Sequence, residues 1–147
     1  MKQIFLADDD ADDREFFEEA LKELNIAAEL TTAENGLALM TTLAAVVMEP
    51  PPPHVIFLDL NMPYKNGFEC LKEIRETPKF RGIPIVILST SAQVKAVETT
   101  YALGANCYVC KPTSHELLKK TISKVLSLEL WQDNQQLPKE KFVITTI

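Results

Sequence analysis

The sequence predicts an α/β fold, a five-stranded doubly wound parallel sheet with helices on both faces. Three observations support this. Short apolar runs with β-branched and aromatic members recur at residues 3–7, 55–58, 83–88 and 107–110, and residues 28–32 can form a further strand; apolar runs of this kind form strands buried on both faces. Between them lie segments whose apolar residues repeat at helical spacing, and strict alternation of strand and helix implies right-handed crossovers in one parallel sheet. Asp8 and Asp9, Asp59, Ser89 and Lys111 each follow directly on one of these runs. All of them therefore belong to the C-terminal rim, where open α/β sheets place their ligand sites.

At 147 residues the chain suits one domain with a core of its own. A net charge of −6, with no basic run longer than Lys119-Lys120, argues against a nucleic-acid surface or an anionic membrane as partner. The start turns acidic at Asp8, too early for a signal peptide, and no apolar run reaches bilayer-spanning length. A cytoplasmic protein is the expectation. Three cysteines are too few, and odd in number, for a disulfide framework. Cys107 and Cys110 have C-x-x-C spacing, but on a strand, where residues three apart face opposite ways, rather than at the helix start that redox pairs use.

The first run ends in Asp8-Asp9-Asp10, and acids continue through Asp12, Asp13 and Glu15 into a helix with Phe16, Phe17, Ala20, Leu21 and Leu24 inward. Asp12 and Asp13 there suit the positive end of the helix macrodipole. Asp8, Asp10, Asp12 and Glu19 also fall at the first, third, fifth and twelfth places of a calcium loop, but Asp13 stands where that loop needs glycine. Two adjacent acids at a strand end better suit a small, oxygen-preferring cation such as magnesium. A helix over residues 35–48 places Leu37, Met40, Ala44 and Val47 on one side, and prolines 50–53 form a stiff connector at the edge opposite Asp59.

Asp59 is followed by Leu60-Asn61-Met62-Pro63-Tyr64-Lys65-Asn66-Gly67, which is turn chemistry. A lone carboxylate in that setting is either a reactive group or a cap for the turn. The next helix turns Phe68, Leu71 and Ile74 inward and stops at Thr77-Pro78. Ser89-Thr90-Ser91 leads into a helix over residues 92–103 that ends at Gly104. Beyond Lys111-Pro112, Thr113-Ser114-His115-Glu116 has capping-box spacing for a last helix, with Leu117, Leu118, Ile122, Val125 and Leu126 inward and His115 solvated.

Taken in order, Asp8-Asp9, Leu58-Asp59-Leu60-Asn61-Met62-Pro63 with Gly67 downstream, Ser89, and Lys111-Pro112 resemble the receiver domain of two-component response regulators, over roughly residues 3–128. The stretch Leu103-Gly104-Ala105-Asn106-Cys107-Tyr108-Val109 with Lys111-Pro112 resembles more narrowly the stand-alone regulators that serve phytochrome-type kinases. The resemblance implies a flavodoxin-like receiver topology over residues 1–128 and a C-terminal extension over 129–147. It implies that Asp59 is the phosphoacceptor and that Asp8, Asp9, Asp59 and the backbone carbonyl of Asn61 hold Mg2+. Lys111 would meet the phosphoryl charge, Ser89 would donate to a phosphoryl oxygen, and the Lys111-Pro112 bond resembles the family's cis peptide. Pro63 and Gly67 would shape the turn after Asp59. Ser89 and Tyr108 match the switch pair, the serine moving toward the phosphoryl group and the tyrosine ring turning inward. Asn61 and Ser91 match positions that tune water access.

These roles agree with the residue types. A carboxylate is a poor nucleophile in bulk water but takes a phosphoryl group in line when held beside a neutralising metal. Three clustered carboxylates need a cation, and lysine supplies a compact, mobile ammonium. The expected function is that of a single-domain response regulator in a phosphorelay, a phosphoacceptor switch rather than an enzyme, with intrinsic phosphotransfer and autodephosphorylation chemistry. It would accept from a sensor histidine kinase or a histidine phosphotransfer protein and signal to a downstream protein through a population shift. The alternatives are an intermediate that passes the group on to a histidine phosphotransfer protein, and a receiver-fold scaffold that is not phosphorylated. A nucleotide binder of the same topology would show a glycine-rich first loop, where this chain has acids and only four glycines overall. Leu130, Trp131 and residues 141–147 are too apolar for a free tail and are expected to pack on the domain or to pair with a second copy in a homodimer.

Overall fold

The computed structural model describes residues 1–48, 53–91, 93–128, 130 and 136–144. The connector prolines 50–52, Trp131, residues 145–147, residue 92 at the expected start of the fourth helix, and the side chain of Val47 lie outside the described residues. In chain order the elements are β1 (Lys2–Ala7), α1 (Ala11–Glu23), β2 (Ala28–Ala33), α2 (Gly36–Met48), β3 (Val55–Leu58) and α3 (Gly67–Glu76). They continue with β4 (Ile85–Ser89), α4 (Val94–Ala102), β5 (Cys107–Cys110), α5 (His115–Ser127), a 3-10 turn (Lys139–Lys141) and β6 (Val143–Ile144). The sheet order is β2-β1-β3-β4-β5-β6, and every pairing is parallel.

The four central strands carry uninterrupted apolar runs, at residues 4–7, 55–58, 85–88 and 107–110, because both of their faces are covered there. Ile4, Leu6, Val55, Phe57, Val86, Leu88, Cys107 and Val109 pack with Phe17, Leu21, Leu118 and Ile122 of α1 and α5. Their alternating neighbours, among them Phe5, Ile56, Leu58, Ile85, Ile87 and Tyr108, pack with Leu39, Leu43, Leu71 and Ile74 of α2 and α3. Strand period places successive side chains in opposite layers, and Cys107 and Cys110 accordingly fall in different ones. Local chemistry starts the helices. Asp10 caps α1 by accepting from the amides of Asp12 and Asp13, Asn66 and Glu69 form a reciprocal capping box for α3, and Ser114 caps α5.

Two expectations are corrected. The inward residues of α2 are Leu39 and Leu43, whereas Leu37 is 53% exposed and Ala44 is exposed. This helix is apolar nearly all round, so its periodicity does not identify a face. Its start is capped by Asn35, whose side chain accepts from the Ala38 amide at 2.8 Å. Among the described residues the sheet also has six strands, not five. Without β6, β5 would present an edge of unpaired backbone groups; instead the Tyr108 amide donates to the Phe142 carbonyl at 2.9 Å and the Leu137 amide to Asn106 at 3.0 Å. Phe142 is fully buried, its ring edge-on to Tyr101 at 5.0 Å.

Candidate functional site

Backbone hydrogen bonds join the strand ends into one rim. The Asp8 amide donates to Ala33 and the Asp59 amide to Ala7, each at 3.0 Å, while the Lys111 amide donates to Ser89 at 2.8 Å. The end of β1 thus lies between those of β2 and β3, and Lys111 is tied to the end of β4. Asp8 and Asp59 are almost fully buried, and Asp9 is exposed. The Asp8 carboxylate accepts from the Asp10 amide at 3.0 Å, and the Arg14 guanidinium donates to the Asp8 carbonyl at 2.7 Å.

Asp8, Asp9 and Asp59 each offer one carboxylate oxygen, all within 4.8 Å of one another. Three hard oxygen donors at this separation fit a small divalent cation that keeps part of its water shell. Lys111 reaches the same place from β5. Its Nζ lies 2.8 Å from Asp8, 2.9 Å from Asp13 and 3.4 Å from Asp59. Burial pushes the Asp59 carboxyl up to about 6; the Lys111 ammonium opposes this and the Asp8 charge adds to it. For Lys111, burial alone would lower the value, but the carboxylates of Asp8, Asp13 and Asp59 outweigh it and hold the ammonium above the usual lysine range.

The Asp59 displacement has a stability consequence. Its folded value, near 6, lies above the ordinary 3.8, so the ionised form is disfavoured by folding, at a cost of up to about 3 kcal/mol. That cost is absent where the carboxyl is protonated in both states, grows as pH rises from about 4 to about 6, and is complete above that. Without divalent cations, Asp59→Asn is therefore expected to be the more stable protein at pH 7.5, by about 1–3 kcal/mol, and to lose that advantage at pH 4. Urea denaturation at the two pH values measures this; a pH-independent difference would contradict it.

The turn after Asp59 is held by close backbone packing. The Gly67 amide donates to Leu60 at 3.0 Å, and a Cβ on Gly67 would lie 2.3 Å from the Asp59 carbonyl oxygen. On the other side a Cβ on Gly36 would meet the Lys65 carbonyl oxygen at 2.1 Å, so the start of α2 abuts the same loop. Asn61 is exposed and its amide donates to Asp59 at 3.4 Å; Pro63 is exposed and accepts from Lys65 at 2.7 Å. Pro112 lines a small cavity of about 40 Å³ beside Lys111.

Ser89 is fully buried, with its hydroxyl accepting from the Ser91 amide at 3.2 Å. The Tyr108 ring is turned inward and fully buried, and its hydroxyl donates to the Ser91 carbonyl. Burial raises the Tyr108 phenol above its ordinary value. The Phe142 ring lies 6.3 Å from the Tyr108 ring, which brings the C-terminal extension against this tyrosine.

The structure thus brings Asp8, Asp9, Asp59 and Lys111 together and places Ser89 and Tyr108 in the adjoining layer. Asp13, read from the sequence as a macrodipole acid, does lie in the first turn of α1 and also pairs with Lys111. Its signal in the sequence was position alone, since α1 starts at the rim. Gly36 was also missed, because only the fold shows that the loop after Asp59 lies against it. His115 is half-buried, not solvated, with Nδ1 2.7 Å from Glu23 and its ring 4.9 Å from that of Phe16.

A family model described as "Response regulator receiver domain" matches residues 4–123. Response regulator Rcp1 of Synechocystis sp. (strain ATCC 27184 / PCC 6803 / Kazusa) is 36% identical over 139 residues, covering 93% of each chain. Among solved structures, that of the phosphorylated cyanobacterial phytochrome response regulator RcpA is similar with a TM-score of 0.78 and 33% identity, over 93% of this chain and 98% of that one. The Mn(2+)-bound form of Rcp1 gives a TM-score of 0.76 at 36% identity, over 94% and 99%. With the parallel sheet and the acid-lined rim, these likenesses place the chain in the response regulator receiver domain family.

Proposed function

We propose that Asp59 is the phosphoacceptor of this response regulator, taking its phosphoryl group from a phosphohistidine on a sensor histidine kinase or a histidine phosphotransfer protein. The observation that carries this reading is a buried carboxylate at the end of β3 with Asp8, Asp9 and Lys111 around it. Asp8, Asp9, Asp59 and the Asn61 carbonyl would hold a divalent cation, and Mg2+ suits a hard, partly hydrated site of this kind. Such a cation, when bound, supplies positive charge for the phosphoryl oxygens. Mn(2+) in the Rcp1 structure and phosphorylation of RcpA support both parts of the reading.

The chain's own residues divide the rest of the work. An ionised Asp59 oxygen attacks phosphorus in line, the O–P bond forms as the P–N bond to the donor imidazole breaks, and the imidazole keeps the electron pair. Lys111 meets charge on the phosphoryl oxygens, and the Ser89 hydroxyl donates to one of them. Hydrolysis by water restores the carboxylate, with Asn61 and Ser91 bordering its approach. Ser89 and Tyr108 act as the switch pair, reporting the state of Asp59 to the face built by α4, β5 and α5. We take residues 1–128 as the receiver and 129–147 as an extension of its output face, which a downstream protein or a second copy would read.

The test is intact mass after incubation with a small acyl-phosphate or phosphoramidate donor and MgCl2. One added phosphoryl group in the wild type, dependent on the metal and lost in Asp59→Asn, is the expected result. No addition in the wild type would favour the scaffold reading.

A further inference from the structure

Asp13 lies in the first turn of α1, and its amide donates to Asp10 at 3.2 Å. Its carboxylate crosses to Lys111, 98 residues away in sequence. A lysine ammonium has three N–H donors and no acceptor. Asp8, Asp13 and Asp59 take all three, two at short range and the third, to Asp59, at 3.4 Å. The two short contacts hold the ammonium between β1 and α1. The long one leaves a single N–H to follow the reacting carboxylate.

Asp8 and Asp13 are not equivalent anchors. Asp8 also belongs to the acid cluster with Asp9 and Asp59, whereas Asp13 is not part of that cluster. Asp13 is therefore the partner that Lys111 keeps when the cluster serves its own purpose. Next to the ammonium, the small cavity is walled by Phe16, Phe17, Leu88 and Leu118. These side chains offer the ammonium nothing in place of Asp13.

We infer that Asp13 is a positioning residue for phosphoryl transfer to Asp59, its carboxylate holding the Lys111 ammonium so that one N–H is directed at the reacting group. The inference rests on the reading of Asp59 as phosphoacceptor. The acid acts through the lysine, in line with the large rate losses that follow slight misplacement of a catalytic group.

The experiment uses the full chain, a small phosphoramidate donor and saturating MgCl2, with initial rates of phosphoryl incorporation followed by intact mass. Asp13→Ala is expected to slow incorporation about fivefold, a coupling ordinary for directly paired residues. Its dissociation constant for Mg2+, followed by intrinsic fluorescence, should stay within about twofold of wild type, since Asp13 is outside the acid cluster. Asp13→Glu should recover most of the rate. In a Lys111→Ala background, Asp13→Ala should cause no further loss. The inference is overturned by an undiminished rate in Asp13→Ala, by an equal loss in the Lys111→Ala background, or by a loss that tracks weakened Mg2+ binding. A wild type that takes up no phosphoryl group, with intact Mg2+ binding, overturns the phosphoacceptor reading itself and this role with it.

Discussion

Lys111→Ala is expected to lower stability by about 3–5 kcal/mol in the absence of divalent cations, the usual result of stripping the cation from buried carboxylates. The lysine side chain is 14% exposed, and those of Asp8 and Asp59 are 1% and 7% exposed, so water screens this group of charges little. With the ammonium gone, two buried carboxylates face each other and Asp13 loses its partner. Part of the loss will be relieved by proton uptake, because Asp59 already lies well above the ordinary carboxylate range. The variant should then gain more from MgCl2 than the wild type does, since a bound cation adds stability in proportion to how tightly it is held. Urea denaturation with and without MgCl2 measures both effects. Equal metal-free stability of the two proteins would show that the lysine contacts contribute nothing net. Phosphoryl incorporation should fall at least about a hundredfold, as when a preorganised donor to a developing charge is removed.

Phe142→Ala is expected to undock the C-terminal strand. Deleting a fully buried phenyl ring costs about 3–5 kcal/mol, and among the described residues β6 is the short stretch Val143–Ile144. The Phe142 ring is shared between Tyr101 and Tyr108, so the remaining contacts cannot close over the gap without moving Tyr108. The loss should be local, because β6 pairs with β5, while β1, β3 and β4 pair among themselves and with β2 and β5. Hydrogen exchange reads this directly. The Tyr108 amide, which donates to the Phe142 carbonyl, should lose its protection, while amides of β1 and β3 keep theirs. Retained protection at Tyr108 would mean that β6 is held by its backbone pairing alone.

The strands were legible because a parallel sheet buries both faces of its central strands, which makes Val55–Leu58 and residues 85–88 apolar without interruption. The rim residues were legible for a related reason. Asp8, Asp59, Ser89 and Lys111 each interrupt an apolar run at the same end, and topology carries those ends to one edge. Amphipathic helices declared their faces, as Phe17, Ala20 and Leu21 of α1 show. The inward side of α2 could not be read in this way, since a helix apolar nearly all round has no distinct stripe.

By itself the sequence determined the order of the elements, the parallel sheet, and which charged and hydroxyl groups stand at its C-terminal edge, because these follow from periodicity and from the chirality of crossovers. Tertiary structure alone decided which partners those groups take. Asp13 and Lys111 meet because α1 starts at the end of β1 and the lysine side chain reaches along the rim from the end of β5, a juxtaposition that no spacing along 98 residues encodes. Phe142 lies beside Tyr108 because an edge strand's unpaired amides seek a partner, and the apolar extension was the segment that could reach them.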